Sequence, residues 1–497
     1  MNAWLATAVL MVVGASGSTA ELPPSPPIEQ ATLQQMYRAE LGEAYQPQMA
    51  QKLYEAHHLL ERYFQESSSA QRQRVVKELE SLRLSPGWIG RLARLRMNWP
   101  DLKGGVYYTN QRIGPHQVMY FLGIPKDYSR TRPWPLVVKL PTAAAFVTNP
   151  PPEGPEVVEL YHRWIKEELA AHPEAVVLMP RLNLDELYGP SQAGMNTVIQ
   201  PLLHAAGQAN IDPARVYLQG HSMSAHAVWN LGLHYTTYWT AITPLAGGAH
   251  ADWQRLRLMN LRNTPVIAWH DADDKLVPVD EARQLVQILK RFACPVEYQE
   301  TKGLGHSPTE QIVAALYDKM CAAGPRPLYP PAVSLQSNRP ETMFNRLDWV
   351  QVYQPVDTGA EKRYRFTRGS GLMTVYQHTF SLSANRAARN RFELKTDNVD
   401  TLRLYFNDQT VDFARPVTVL VNGKGKFEGL LEQSIDEMLR DQVFLGRGWR
   451  YYTALLDLEL AARAPTTAGT RPATTRKGVI EVIPSDPDQP IKRIEVP

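Results

Sequence analysis

The run Val216-Tyr217-Leu218-Gln219-Gly220-His221-Ser222-Met223-Ser224-Ala225 joins an apolar strand, a serine set among small residues, and the start of a helical stretch. A serine hydroxyl is a weak nucleophile until a base relieves it of its proton. A tight strand-to-helix turn helps by holding the serine in a strained conformation at the carboxyl end of a sheet. Residues two before and two after it must then be small, so that strand and helix can approach. Ser222 fits that position, with Gly220 before it and Ser224, rather than glycine, after it. The helix opened by Met223 would direct its N-terminal amides toward developing negative charge.

A base and an orienting acid should follow the nucleophile along the chain, in the order acid then histidine. The apolar strand Val266 to Trp269 leads into His270-Asp271-Ala272-Asp273-Asp274-Lys275-Leu276-Val277-Pro278. Of three aspartates there, Asp274 stands just ahead of the next helix and is the expected acid, with Asp271 and Asp273 read as loop-surface or capping residues. Among 13 histidines, His306 is the expected base, because it follows the last strand in the turn Gly303-Leu304-Gly305-His306. His250 and His270 precede the acid; His221, His226 and His234 lie beside the serine and read as packing or pocket-lining groups. The roles are attack by Ser222, proton transfer by His306, and orientation of the imidazole by Asp274. Two backbone donors should stabilise the oxyanion. One is the amide of Met223, and the other comes from Thr142 or Ala143 after strand Leu136 to Leu140, Pro141 having no N–H.

Elements that position these residues alternate in type. Val118–Ile124, Leu136–Leu140, Val176–Met179, Val216–Gln219, Ala241–Pro244, Val266–Trp269 and Val296–Glu300 read as strands. Glu156–Ala171, Met195–Gln208, Met223–Leu233, Asp280–Phe292 and Pro308–Cys321 read as helices. Apolar strands alternating with helices predict an α/β fold with a mostly parallel sheet covered on both faces, over residues 102–325. Ahead of it, residues 21–101 are helical in period: Met49, Leu53, Ala56, Leu60 and Phe64 form one stripe, Val75, Val76, Leu79 and Leu82 another. Their apolar face must be buried, on the α/β segment as the favoured expectation or on a second copy of the chain. His57 and His58 are adjacent, face different ways, and make no metal pair.

After the break Pro325–Pro331, residues 340–460 read as a β-sandwich. Its strands are Trp349–Tyr353, Leu372–Phe380, Arg391–Leu394, Thr401–Phe406, Val417–Val421 and Tyr451–Leu458, with Asn422-Gly423 as a hairpin turn. Residues 461–497 are Thr-, Ala- and Pro-rich and read as a flexible tail. At the other end, Trp4 to Val13 is apolar and Gly14 to Ala20 small, the pattern of an export signal over residues 1–20, without a preceding Lys or Arg. Ten apolar residues fall short of the roughly 20 that a membrane span needs. The expected location is secreted or periplasmic, with no membrane span once the signal is removed.

Composition agrees with this division. The chain has 497 residues, and roughly 150 per domain gives about three domains. It is 44% apolar and 21% charged, with net charge +3, which excludes a disordered chain and a nucleic-acid binder known by its basic footprint. The two cysteines, Cys294 and Cys321, lack metal-ligand spacing; they either pair or stay free. No metal and no other cofactor is expected. Trp134, Trp229, Trp239, Trp253 and Trp269 read as core.

The α/β segment resembles the α/β-hydrolase superfamily, among them prolyl-oligopeptidase-like and dienelactone-hydrolase-like serine hydrolases, which include polyhydroxybutyrate-depolymerase-like and feruloyl-type esterases. The residues that carry it are Ile211 to Leu218, Gly220-His221-Ser222-Met223, His226, Trp229, Leu231, Gly232, Ala246-Gly247-Gly248, Asp274 with Val277-Pro278, and Gly305-His306. The chain departs from that pattern with Pro141-Thr142 for His-Gly, Ser224 for Gly and Asp271 for Gly. The stretches Asn390–Leu394, Leu402–Phe406, Val411-Asp412, Pro416-Val417 and Val421-Asn422-Gly423 resemble a β-rich C-terminal domain attached to such hydrolases. Its role is read as structural or oligomer-forming, or as polymer binding through exposed aromatics such as Trp349 and Trp449. The resemblance implies an exported esterase acting on a small or polymer-borne ester through an acyl-enzyme. The alternatives are a prolyl-oligopeptidase-type peptidase, disfavoured for want of a β-propeller, and a catalytically silent hydrolase fold that only binds.

Overall fold

The computed structural model describes residues 25–113, 116–142, 155–182, 188–249, 251–365 and 372–460, and the backbone of four short strands, Met11–Val13, Thr19–Glu21, Gly478–Val482 and Lys492–Val496. The central sheet has ten strands, two of them the short Met11–Val13 and Thr19–Glu21 at one edge; the other eight are β1 (Gly105–Ile113), β2 (His116–Ile124), β3 (Trp134–Leu140), β4 (Val176–Pro180), β5 (Ile211–His221), β6 (Ala241–Leu245), β7 (Val266–Asp271) and β8 (Val296–Thr301). Their spatial order is β1-β2-β4-β3-β5-β6-β7-β8. β2 runs antiparallel to both its neighbours, and the strands from β4 through β8 are all parallel. Every residue of β4, β6 and β7 is buried, as a sheet with two covered faces requires. The first strand, β1, lacks a clear apolar alternation and was not predicted as one.

Side chains sort by strand parity. Val137, Tyr217, Ile267 and Trp269 face α10 (Glu310–Ala322), meeting Leu316, Tyr317 and Met320. Leu136, Val138, Leu218, Ile242 and Val266 face the other layer, where α6 (Gln192–Gln208), α7 (Met223–His234) and α9 (Val279–Arg291) contribute Val198, Leu202, Val228, Trp229, Leu285 and Leu289. α5 (Pro155–Ala171) presses Ile165 and Leu169 against Gly123 of β2, where an added Cβ would lie 2.5 Å from Ile165. All five tryptophans read as core are buried, least so Trp253 on the single turn α8 (Asp252–Arg255).

The N-terminal helices pack differently from expectation. α1 (Gln30–Leu41), α2 (Ala50–Gln65), α3 (Ser69–Ser81) and α4 (Pro86–Leu92) bury Leu33, Tyr37, Leu53, Leu60 and Leu79 in one core with Val350, Leu402, Leu404, Phe406 and Met438 of the C-terminal region. Arg447 clasps Glu61 with both terminal nitrogens at 2.9 Å, and Arg91 reaches Asp408 at 2.8 Å. Periodicity marks an apolar face but carries no information on which distant segment covers it.

The C-terminal region is two sheets. β9 (Ala332–Ser337), β14 (Phe380–Ala388), β15 (Arg391–Asp397), β17 (Val417–Val421) and β18 (Lys424–Gly429) form one; β10 (Arg346–Leu347), β11 (Val350–Gln354), β16 (Thr401–Phe406) and β19 (Ala454–Glu459) form the other. Phe392 sits edge-on between Trp349 and Phe406 where the sheets face. The strand expected over Leu372–Phe380 is in fact two. β13 (Leu372–Tyr376) pairs with β12 (Glu361–Arg365) as a separate hairpin, and Phe380 opens β14. A helix, α11 (Ile435–Leu445), was not foreseen in this region. Asn422 and Gly423 both take positive φ, 52° and 77°, in the turn between β17 and β18.

Other expectations are corrected by burial. Trp349 and Trp449 are 2% and 3% exposed, so neither offers an aromatic platform. Cys294 and Cys321 are free thiols, both pushed up to about 11 by burial. The export segment lies largely outside the described residues; Met11–Val13 pairs with Thr19–Glu21 and with Tyr107-Tyr108 of β1. Within the tail, Gly478–Val482 pairs with Lys492–Val496, and its remainder lies outside the described residues. No helix among the described residues is long and apolar enough to cross a membrane.

Candidate active site

β5 runs straight into Ser222, whose φ of 59° and ψ of −124° place a non-glycine residue in a region that side chains rarely adopt. Its amide donates to the Leu245 carbonyl at 2.9 Å, tying the turn to the end of β6. Gly220 is required two residues earlier: a Cβ there would lie 2.7 Å from the Ser224 carbonyl oxygen. Ser222 then stands at the mouth of α7, over the carboxyl ends of the parallel strands.

The three residues singled out for acyl-transfer chemistry come together. The Ser222 hydroxyl lies 2.7 Å from His306 Nε2, and His306 Nδ1 lies 2.8 Å from Asp274 Oδ2. The side chain of Asp274 is wholly buried and that of His306 is 17% exposed. Asp274 Oδ1 accepts the amides of Leu276 at 2.8 Å and Val277 at 3.0 Å. Burial raises the Asp274 carboxyl, but the bond from His306 and those amides outweigh it and hold the group below its ordinary value. His270 adds a second imidazole to the same carboxylate, its Nε2 standing 3.2 Å from Asp274 Oδ2 and 2.9 Å from the Val277 carbonyl.

The loop that carries His306 is held from two sides. Gly303 and Gly305 take φ of 88° and 72°, which lets the chain turn back over the sheet. His221, beside the nucleophile, is 2.8 Å from the His306 carbonyl through its Nε2. From the other side comes Asp271, which corrects the reading of a loop-surface residue: it is fully buried at the end of β7. Its carboxylate accepts four hydrogen bonds. Burial raises the group, and the bonds from Thr301, Asp273, Leu304 and Gly305 outweigh that and leave it at about 2. Sequence reasoning missed it by ending β7 at Trp269; the buried strand continues through His270 and Asp271 in register with Glu300 and Thr301.

Ser224, the departure from glycine, is also placed by the geometry. Its buried hydroxyl donates to the Pro141 carbonyl, joining the first turn of α7 to the loop after β3. That loop is where a second oxyanion donor was sought. Thr142 follows Pro141 there, and Ala143 lies outside the described residues. Met223 is the first residue of α7, so its amide is one of the free N-terminal donors. His226 instead engages Gly248, and His234 is buried against Phe344; His250 lies outside the described residues.

Beside the triad an open cleft of about 760 Å³ is lined by Asp274, Leu276, Leu304, Gly305 and His306. Leu276 is 74% exposed and Leu304 40%, an apolar lip on otherwise polar loops. No group of three or more His, Cys, Asp or Glu able to hold a metal ion occurs among the described residues.

The strand order, with one antiparallel strand among parallel ones and a strained serine turn after β5, defines the α/β-hydrolase fold. This chain therefore carries an α/β-hydrolase sheet between a helical N-terminal region and a C-terminal pair of β-sheets. No family model matches it, and no curated protein matches it. Solved structures similar to part of it include a thermostable esterase, 24% identical over 40% of this chain and 54% of that one, with a TM-score of 0.31. This chain thus spans about half the length of that esterase. A ferulic acid esterase is 15% identical over 44% of this chain and 95% of its own, with a TM-score of 0.32. A truncated carbohydrate esterase from gut microbiota is 13% identical over 45% and 97%, with a TM-score of 0.34.

Proposed function

We propose that the protein is a serine hydrolase that cleaves carboxylic esters through an acyl-enzyme. The observation that carries this reading is the hydrogen-bonded line from Ser222 to His306 to Asp274, with the serine on a strained turn. Ser222 Oγ bonds to the acyl carbon while its proton passes to His306 Nε2. The alcohol then leaves with that proton, and water, deprotonated by the same histidine, releases the acid and restores the serine. Asp274 keeps the proton of neutral His306 on Nδ1 and stabilises the imidazolium that forms. The Met223 amide, with a donor from the segment that begins at Thr142, stabilises the oxyanion.

Two departures that favoured a silent fold have structural uses: Ser224 anchors the loop at Pro141, and Asp271 holds the loop of His306. The reaction read here consequently needs neither glycine. Export is part of the proposal and rests on the apolar run Trp4 to Val13 followed by Gly14 to Ala20; N-terminal sequencing of the mature protein after Ala20 tests it.

A fluorophosphonate probe tests the chemistry. Labelling of the wild type that is lost in Ser222→Ala is the expected result, and absence of Ser222-dependent labelling overturns the enzyme reading. Short acyl esters set against Pro-containing amides then decide bond type: faster amide turnover overturns the esterase reading in favour of a peptidase.

A further inference from the structure

We infer that Asp271 is a positioning residue for the reaction, the brace that sets His306 against Ser222 and Asp274; this rests on the triad reading above. The inference starts from topology. β7 and β8 are parallel neighbours, and Asp271 and Thr301 are paired as their last residues. Beyond that pair the chain forks, the loop after β7 carrying the acid and the loop after β8 carrying the base. Asp271 sits in the fork and bonds to both branches.

Its two oxygens divide the work. Oδ1 accepts the Asp273 amide at 2.9 Å and the Gly305 amide at 3.0 Å, so a single atom joins the acid loop to the residue before His306. Oδ2 accepts the Thr301 hydroxyl at 2.8 Å and the Leu304 amide at 3.1 Å, fixing the start of the histidine loop to the strand end. Three of the four donors are backbone amides of loops that otherwise contain glycines at positive φ and an exposed leucine. A carboxylate accepts on both oxygens at once, whereas an asparagine side chain would turn an NH₂ toward two of those donors. Glycine at this position would make none of the four bonds. His270, the preceding strand residue, reaches the acid itself. Consecutive strand residues point to opposite sides, so one dipeptide steadies Asp274 with one side chain and the loop of His306 with the next.

Positioning predicts a particular kinetic signature. Misplacing a catalytic group by about 1 Å costs on the order of 10²-fold in rate. The cost falls on proton transfer from Ser222, not on substrate binding, because Asp271 is fully buried.

The test uses Asp271→Ala, Asp271→Asn and Thr301→Val in the full chain, with rates normalised to the folded fraction measured by tryptophan fluorescence. Labelling by a fluorophosphonate and kcat for a short acyl ester are expected to fall together, on the order of 10²-fold for the Asp271 variants, with KM nearly unchanged. Thr301→Val removes one donor of four and is expected to lose only a few-fold, roughly, since a neutral hydrogen bond is a modest term. Wild-type labelling and kcat per folded molecule in Asp271→Asn and Thr301→Val overturn the inference, as does a loss confined to KM. Should Asp271→Ala not fold, those two variants decide. A wild type that neither labels nor turns over esters overturns the functional reading instead, so the two failures are distinct.

Discussion

Replacing Ser224 by alanine isolates a single hydroxyl. The side chain is fully buried, its Oγ donates to the Pro141 carbonyl, and alanine keeps the Cβ that already fits opposite Gly220. No cavity larger than one oxygen atom is created, so the perturbation is the loss of one tie between α7 and the loop after β3. Leaving a buried carbonyl without its donor costs about 1–3 kcal/mol. If that cost is relieved by movement of the loop, the Thr142 segment shifts away from the oxyanion site. At about 1.4 kcal/mol per tenfold in rate, the fall in kcat lies between about 5-fold and 150-fold. Loss of an oxyanion donor altogether would reach about 10²–10³-fold, which caps the effect. The assay is steady-state hydrolysis of a short acyl ester, with thermal unfolding measured in parallel. A kcat tenfold lower with little change in KM is the expected outcome. Wild-type kcat in a variant with reduced stability would instead assign the hydroxyl to folding alone. Ser224→Gly loses the same bond, so it is expected to lower kcat as well despite restoring the usual glycine.

Asp274→Asn should leave the fold intact and lower kcat on the order of 10⁴-fold, as loss of the orienting carboxylate does in serine triads generally, measured by single-turnover hydrolysis. Asp348→Ala strands two buried guanidiniums: Arg326 chelates Asp348 at 3.1 and 2.7 Å, and Arg450 stands 3.3 Å away. Removing one partner of such a buried set costs about 3–5 kcal/mol, read as a lower urea midpoint with unchanged slope. The folded state holds Asp271 at about 2 against an ordinary 3.8, so it binds a proton less readily than the unfolded chain. The stability this confers is complete above the unfolded value and is lost as pH falls from about 4 toward 2. Asp271→Asn should therefore flatten the acid limb of a stability–pH curve across that window, followed by fluorescence-detected denaturation.

The α/β segment was the most legible part of the chain, for physical reasons. Parallel strands covered on both faces are near-continuous apolar runs, and Val176–Met179 or Val266–Trp269 stand out as such. Ser222, Asp274 and His306 were singled out because chain order and small neighbours constrain them more than composition does, and the structure brings the three within hydrogen-bond distance. Asp271 was misread because a carboxylate after an apolar strand looks solvated unless the four donors that meet it are known, and three of those lie outside its own strand and loop. Trp349 and Trp449 were misread because exposure in a β-region depends on which sheet lies opposite. The strand Leu372–Phe380 was misjudged because the chain changes sheets between Tyr376 and Phe380 with no proline or glycine to mark the turn.

The shared core of the N-terminal helices and the C-terminal sheets has a consequence for how the chain is assembled. Topologically, the α/β-hydrolase sheet is an insertion within a second unit whose halves lie at opposite ends of the sequence. Glu61 meets Arg447, and Arg91 meets Asp408, across more than 300 residues. The leucines of the helical half are therefore covered in full only once the last described strand of the sandwich, Ala454–Glu459, is in place. The core of the α/β segment draws on few of those later residues, chiefly Phe344 and Trp449. The helices of residues 30–92 and the sheets of residues 332–459 thus clasp each other across the centre of the chain, and cutting away either set exposes the apolar face of the other.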